Sequence, residues 1–237
     1  MKKRLRLVLY LVFLVILLIS TPVRDTLIPI LEEKPLSEHT IEVLKNKQPY
    51  IDFFADKYQI SKVALAASIG SEINRRIFIN KWIDILQDYY FASFLCTEPV
   101  LDFFMHLNIN SRYFNLAKQD LGIGNIRFQT AWEILQEYPQ ELTHIHSKKE
   151  MVDYLLTDKG NIHIASLIIK KADTLFIGHF GASSKNIRDA IYYSYYKQGE
   201  TYYLRYAQNS KFKRPPIPGG GKDLIEKIKS AMYLKSF

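Results

Sequence analysis

The stretch Lys62–Arg76, KVALAASIGSEINRR, places a single carboxylate, Glu72, beside an apolar helical face. Small and apolar residues recur along it at the spacing of one face of an α-helix, and Ser61 stands at the N-cap position. We therefore predict a packed helix with Glu72 at the edge of its buried face. A carboxyl beside apolar surface has its charged form disfavoured, so it is able to hold a proton, as a general acid must. The alternative is a solvated glutamate near Arg75 and Arg76.

Length, composition and charge limit the classes of protein to consider. The chain has 237 residues, 48% hydrophobic and 14% aromatic, which suits one sizeable folded domain and is not typical of disorder. Its formal net charge of +8 favours an anionic partner, whether nucleic acid, anionic lipid or an acidic cell-wall polymer. The sequence has no nucleic-acid motif, so we expect no nucleic-acid partner. The single cysteine, Cys96, has no partner for an internal disulfide.

The first 23 residues are typical of a segment that directs export. Four cations precede the apolar run LVLYLVFLVILLI, residues 7–19. Residues 5–23 are long enough to cross a bilayer and show no A-x-A cleavage site, so we predict an uncleaved signal-anchor, with a removed signal peptide as the alternative. The positive-inside rule then places the residues after about 24 on the extracytoplasmic side of the cytoplasmic membrane. A cleaved segment would instead give a secreted protein.

The periodicity of the remaining chain predicts an all-α fold, because we find no convincing alternating strand pair. We expect two short helices, residues 37–47 and 50–58, to be separated near Pro49. The chain divides into a tether with N-terminal helices (24–60), a main domain (61–209) and a Pro/Gly loop with a C-terminal helix (210–237).

Four segments, in order along the chain, resemble lytic transglycosylases of the SLT type and goose-type lysozymes, which belong to the lysozyme-like superfamily. Residues 122–131, GIGNIRFQTA, resemble the family's G-L-M-Q-I-x-P-x-T-A loop, position for position, and the residues around Glu72 are similar to the setting of its catalytic glutamate. Residues 158–169, DKGNIHIASLII, resemble the start of a family helix, N-I-x-x-G-x-x-Y-L. Residues 190–199, AIYYSYYKQG, are similar to the A-A-Y-N-A-G segment.

The resemblance implies a lysozyme-like helical domain whose cleft binds peptidoglycan, with Glu72 as the catalytic acid. It also implies substrate-binding roles for Gly122, Asn125, Ile126 and Tyr196. In lytic transglycosylases one glutamate protonates the β-1,4 bond between N-acetylmuramic acid (MurNAc) and N-acetylglucosamine (GlcNAc), and then activates the muramoyl 6-hydroxyl to close an anhydro ring. We expect neither a metal nor a cofactor.

Some residues depart from the family pattern. Asn125 replaces a glutamine and keeps an amide that can bond a sugar, Phe128 replaces a proline, and Lys197 replaces the asparagine after the tyrosine. Residues of about 77–120 lengthen the interval after Glu72, and we expect them to form a helical flap over the cleft.

Three alternatives to a transglycosylase stay open. Asp120, as a second carboxylate, would position water for a goose-type lysozyme-like hydrolase, although aspartate in a loop is commonly a turn former. The departures at Asn125 and Lys197 favour a non-catalytic wall-binding or scaffold protein of the same fold. The net charge would also suit an unrelated helical protein of the membrane surface.

Overall fold

The computed structural model describes residues 36–75, 85, 88–93, 96–106, 116–179, 185–207, 217 and 221–233. These residues are mostly helical, which confirms the all-α class. The helices are α1 (Glu38–Tyr58), α2 (Lys62–Arg75), α3 (Glu98–His106), α4 (Phe128–Glu137), α5 (Lys148–Leu155), α6 (Asp158–Phe176), α7 (Lys185–Gln198), the short α8 (Glu200–Tyr202) and α9 (Gly221–Met232). The predicted signal-anchor, nearly all of the tether and much of the predicted flap lie outside the described residues.

Helix α2 lies at the centre of the fold. Every residue from 63 to 70 is buried, because α1, α6, α7 and α9 all pack against this helix. Its predicted start is confirmed, since the Ser61 hydroxyl accepts a hydrogen bond from Ala64 N at 3.2 Å. The run of small residues lets neighbouring helices approach closely, so α2 supplies one wall to most of the core.

Helix α1 corrects the prediction of two short helices. It runs without interruption from Glu38 to Tyr58, with Pro49 in its interior. Proline costs a helix one hydrogen bond, here the bond to the carbonyl of Lys45. Both residues are exposed, so water can bond that carbonyl, while the opposite face buries Leu44, Ile51, Phe54 and Tyr58. Burial of this face keeps the helix continuous across Pro49.

A short antiparallel hairpin was missed from the sequence. Strands β1 (Asp120–Leu121) and β2 (Ile126–Arg127) pair Asp120 with Arg127 and Leu121 with Ile126. Strands of two residues are too short to show an alternating pattern, so periodicity gave no signal. The hairpin leads directly into α4, and its turn faces the C-terminal part of α2 at Glu72.

The helices of the described part of the chain include none that is both long enough and apolar enough to span a membrane.

Candidate active site

Glu72 ends the buried face of α2 and lies in the wall of a cavity. Its side chain is 7% exposed, and the cavity beside it has a volume of about 340 Å³. This volume is within the range of small-ligand pockets, roughly 300–1,000 Å³. The structure therefore gives Glu72 the buried position predicted from the sequence, and the solvated alternative is wrong.

The two carboxylate oxygens of Glu72 have different partners. Oε2 accepts a hydrogen bond from Asn125 Nδ2 at 3.3 Å and lies 3.4 Å from Arg75 Nη2. Oε1 is contacted by Lys197 Nζ, from the last turn of α7. Two cations thus contact one buried carboxylate, and partners from α2, the hairpin turn and α7 fix its orientation.

The hairpin turn brings Asn125 to Glu72 by an unusual backbone path. Gly122 has a φ of 68° and Asn125 a φ of 53°, both in the left-handed region that glycine and asparagine tolerate best. A Cβ on Gly122 would lie 2.1 Å from the carbonyl oxygen of Leu155, so no larger residue fits. The loop quoted from the sequence is therefore a tight turn that presents one amide side chain to Glu72.

Asn161, near the start of α6, holds this turn in place. Its Oδ1 accepts from Gly124 N at 2.7 Å, and its Nδ2 donates to the carbonyls of Leu121 and Leu155, each at 2.9 Å. Asn161 is fully buried. Sequence reasoning did not name it as a site residue, because the polar start of α6, DKGN, gives no sign that its asparagine is buried.

Tyr196 supports the turn from the other side. Its hydroxyl donates to the carbonyl of Gly124 at 2.8 Å, so its proton is used by the turn. A Cβ on Gly124 would lie 2.8 Å from that hydroxyl and 2.6 Å from Asn161 Oδ1, which explains the glycine. Tyr196 and Ile126 both line the cavity, and Tyr196 also positions the loop.

Asp120 and Phe128 flank the turn. Asp120 lines the same cavity as Glu72 and lies 3.7 Å, from Oδ1 to Nε, from Arg127. Phe128 donates its backbone N–H to the carbonyl of Gln119 at 2.8 Å. A proline has no backbone N–H and could not make this bond. The departure at position 128 therefore adds a hydrogen bond that closes the base of the hairpin.

The cavity wall carries charges of both signs. Four cationic and four acidic residues line it: Arg75, Arg127, Lys171 and Lys197, and Glu72, Asp120, Glu133 and Glu200. Tyr195, Ile134 and Ile168 are among the residues that add aromatic and apolar surface. Such a mixed wall suits a polar ligand with both apolar faces and hydrogen-bonding groups, as a sugar has.

One acceptor in the site has no partner among the described residues. Asn125 Oδ1 is buried and receives no hydrogen bond from this part of the chain, although Nδ2 of the same amide is bound to Glu72. A buried carbonyl oxygen without a donor is costly, by about 1–3 kcal/mol, and is uncommon in native proteins. The orphan oxygen is thus suited to a donor supplied by a ligand, such as an acetamido N–H.

A second buried polar cluster surrounds His163, which looked isolated in the sequence. Tyr58 donates to Glu141 at 2.8 Å, so His163 Nε2, 2.5 Å from the Tyr58 hydroxyl, must donate to it. His163 Nδ1 then accepts from the hydroxyl of Tyr154 at 2.7 Å. Burial lowers the pKa of His163 to about 4, and Phe54 stacks on its ring. The neutral imidazole satisfies every member of this cluster.

Metal ligands do not come together in the described residues: no three histidine, cysteine or acidic side chains there form a group suited to a metal ion. His144 contacts the ring of Tyr154, and Cys96 is buried.

The chain matches no protein-family model, no curated protein and no solved structure. The likeness to lysozyme-like enzymes therefore stays a prediction drawn from the four motifs.

Proposed function

We propose that this protein is a membrane-anchored lytic transglycosylase of lysozyme-like fold, which cleaves the MurNAc–GlcNAc β-1,4 bond of peptidoglycan with Glu72 as general acid and base. The observation that carries the proposal is the position of Glu72. It is a buried carboxylate in a cavity wall that Asn125 and Tyr196 also line, and Asn161 holds the turn that carries Asn125. These three residues come from three of the four resembling segments.

The proposed reaction needs one carboxyl group. Glu72 donates a proton to the glycosidic oxygen as the bond to C1 breaks, and the cavity walls surround the oxocarbenium-like centre that forms. The carboxylate then takes the proton of the muramoyl 6-hydroxyl, whose oxygen closes onto C1. The orphan Oδ1 of Asn125 is available to an acetamido N–H of the sugar, so it would help to orient the bond.

A hydrolase would use Asp120 as a second carboxylate. Asp120 lines the same cavity, which supports this alternative, but its contact with Arg127 and its place in strand β1 supply a structural role. We therefore place transglycosylation ahead of a goose-type lysozyme-like hydrolysis.

The second candidate is a non-catalytic wall-binding or scaffold protein. The contact between Lys197 and Glu72 favours it, because the ammonium group covers a carboxylate oxygen that a glycosidic bond would have to reach. This candidate predicts that purified sacculi bind the protein and release no soluble fragments, whatever residue stands at position 72.

Export and anchoring are proposed from the sequence of residues 1–23. Peptidoglycan lies outside the cytoplasmic membrane, so a domain that follows a signal-anchor would meet its substrate there.

The test uses the full-length chain, purified in detergent and incubated with purified sacculi. We expect soluble muropeptides with anhydromuramoyl ends, identified by mass spectrometry, and none from the Glu72→Gln variant. Muropeptides with reducing ends would show that the protein is a hydrolase and not a transglycosylase. Fragment release by Glu72→Gln equal to the wild type would end the assignment of Glu72, and binding without release would favour the scaffold.

A further inference from the structure

The contacts of Glu72 divide between its two oxygens: two groups contact Oε2, and Lys197 contacts Oε1. Asn125 and Arg75 both contact Oε2; the first sits on the tight hairpin turn and the second is one helical turn away on α2. Oε1 is contacted by the ammonium group of Lys197. The oxygen that remains for a proton is therefore the one that Lys197 covers.

Lys197 is the accessible member of the pair. Its side chain is 22% exposed and lines the cavity, whereas the side chain of Glu72 is 7% exposed. A lysine side chain ends in a compact charge on a flexible four-carbon stem, so it changes partners with little cost to the backbone. If Lys197 turns away, Oε2 keeps both of its own partners, and Oε1 loses its contact with the ammonium group.

We propose that Lys197 is a positioning residue that covers Oε1 of Glu72 in the free protein and moves to a carboxylate of the bound glycan. This inference rests on the proposed function and names the substrate feature that turns the site on. Lys197 stays an ammonium ion and exchanges one counter-ion for another. Glu72 Oε1 takes one proton from solvent, donates it to the glycosidic oxygen, and regains one from the muramoyl 6-hydroxyl.

A carboxylate is the matching group because the exchange must keep the lysine paired. Two other cations of the wall have partners of their own: Lys171 lies 2.6 Å from Glu137, and Arg127 lies near Asp120. Arg75 contacts the other oxygen of Glu72, Oε2. In peptidoglycan the carboxylate has two sources, the lactyl group of a muramoyl residue without a stem peptide, and the stem peptide itself. A glycan without carboxylates would leave Lys197 on Glu72.

Binding of small sugars tests the exchange without turnover. Titrations of the full-length chain followed by NMR compare GlcNAc, which is neutral, with MurNAc, which adds a free lactyl carboxylate to the same ring. Muramoyl dipeptide, in which the lactyl carboxyl is an amide and the peptide carries the charge, distinguishes the two sources. We expect at least one charged sugar to bind about tenfold more tightly than GlcNAc, and Lys197→Met to remove that preference.

Cleavage tests the same exchange in the reaction. We expect Lys197→Met to lower the ratio of the rate on muramoyl glycan to the rate on a chitin oligosaccharide by about tenfold, and Lys197→Arg to restore it. A merely structural lysine would lower both rates together. Lys47→Met is the matched control: Lys47 is 27% exposed and paired with Asp158, and lies on α1 outside the cavity wall.

The outcomes separate the inference from the proposed function. Wild-type cleavage that requires Glu72, with a ratio unchanged in Lys197→Met, would overturn the inference and leave the function intact. Equal affinity of wild type and Lys197→Met for all three sugars would overturn it even in a protein that cleaves nothing. If the wild type cleaves nothing but prefers the charged sugar, and Lys197→Met loses that preference, Lys197 stays a carboxylate-binding residue and the enzymatic function is overturned.

Discussion

Glu72 and His163 are both buried polar groups on central helices, yet their surroundings differ in kind. His163 lies among three aromatic rings. Both of its ring nitrogens are hydrogen-bonded, Nε2 to the Tyr58 hydroxyl and Nδ1 to that of Tyr154, so the imidazole has no polar atom left for a ligand. Glu72 lies between cations at a cavity, beside an amide oxygen for which the described residues supply no donor. A network that is complete around a neutral imidazole stabilises the fold, whereas an incomplete network around a charged group has capacity to bind.

The largest effect is expected from Glu72→Gln. The amide keeps the shape of the side chain and removes the transferable proton, so the rate of muropeptide release should fall at least about a thousandfold. Glu42→Gln makes the same chemical change at an exposed position of α1 and should leave the rate unaltered. If Glu72→Gln lost stability instead of activity, the distinction between the two clusters would fail.

Asn161→Ala tests the connection between the turn and α6. The substitution leaves Gly124 N and the carbonyls of Leu121 and Leu155 without their partner, so the free energy of unfolding should fall by about 3 kcal/mol. Urea denaturation measures this loss. Asn161→Asp is a sharper variant, because it keeps the acceptor for Gly124 N and turns a second oxygen toward two carbonyls. A loss in the alanine variant as small as that of an exposed asparagine would contradict this role.

His163 should make the fold sensitive to acid. Its pKa of about 4 in the folded protein lies below the value of about 6.5 in the unfolded chain, so the unfolded state binds more protons between these values. The contribution of His163 to the free energy of unfolding is therefore fully present above about pH 6.5, and up to about 3 kcal/mol of it is lost as the pH falls toward 4.

His163→Phe should remove most of that pH dependence, at a cost of about 1–2 kcal/mol at pH 7, because the Tyr154 hydroxyl loses its acceptor. His39→Phe, at an exposed position, is the control. Urea unfolding at pH 7, 5 and 4 measures both variants. A variant with the slope of the wild type would show that another group carries the acid sensitivity.

Asp120→Asn should have the smallest effect. In a transglycosylase it removes one partly screened contact with Arg127, so the rate should change by less than about fivefold and the products should keep their anhydromuramoyl ends. Mass spectrometry of the products measures both. A loss as large as that of Glu72→Gln would instead make Asp120 the second carboxylate of a hydrolase.

The sequence was informative where one strong local signal sufficed. The Ser61 cap and the buried helix around Glu72 follow from local pattern, and the structure confirms them. Pro49 misled because the penalty of proline is local, while the burial that outweighs it depends on the other helices.

The partners of Glu72 were harder to predict than its helix. The motifs identified Asn125 and Tyr196, but the contact with Lys197 depends on how α7 lies across α2, which no local pattern encodes. Asn161 was missed because its three bonds reach residues in two other parts of the chain. Side chains that work through distant contacts look ordinary in their own segments.

The contacts of Glu72 also have a consequence for the order of assembly. Asn125 follows Glu72 by 53 residues and Lys197 follows it by 125. During synthesis the acid is therefore made early, and the lysine that covers it arrives when most of the chain is complete. Closing a loop of that length is slow compared with forming a helix. A chain interrupted before α7 contains Glu72 but not the complete site. Activity would therefore be found only in chains whose synthesis and folding include α7.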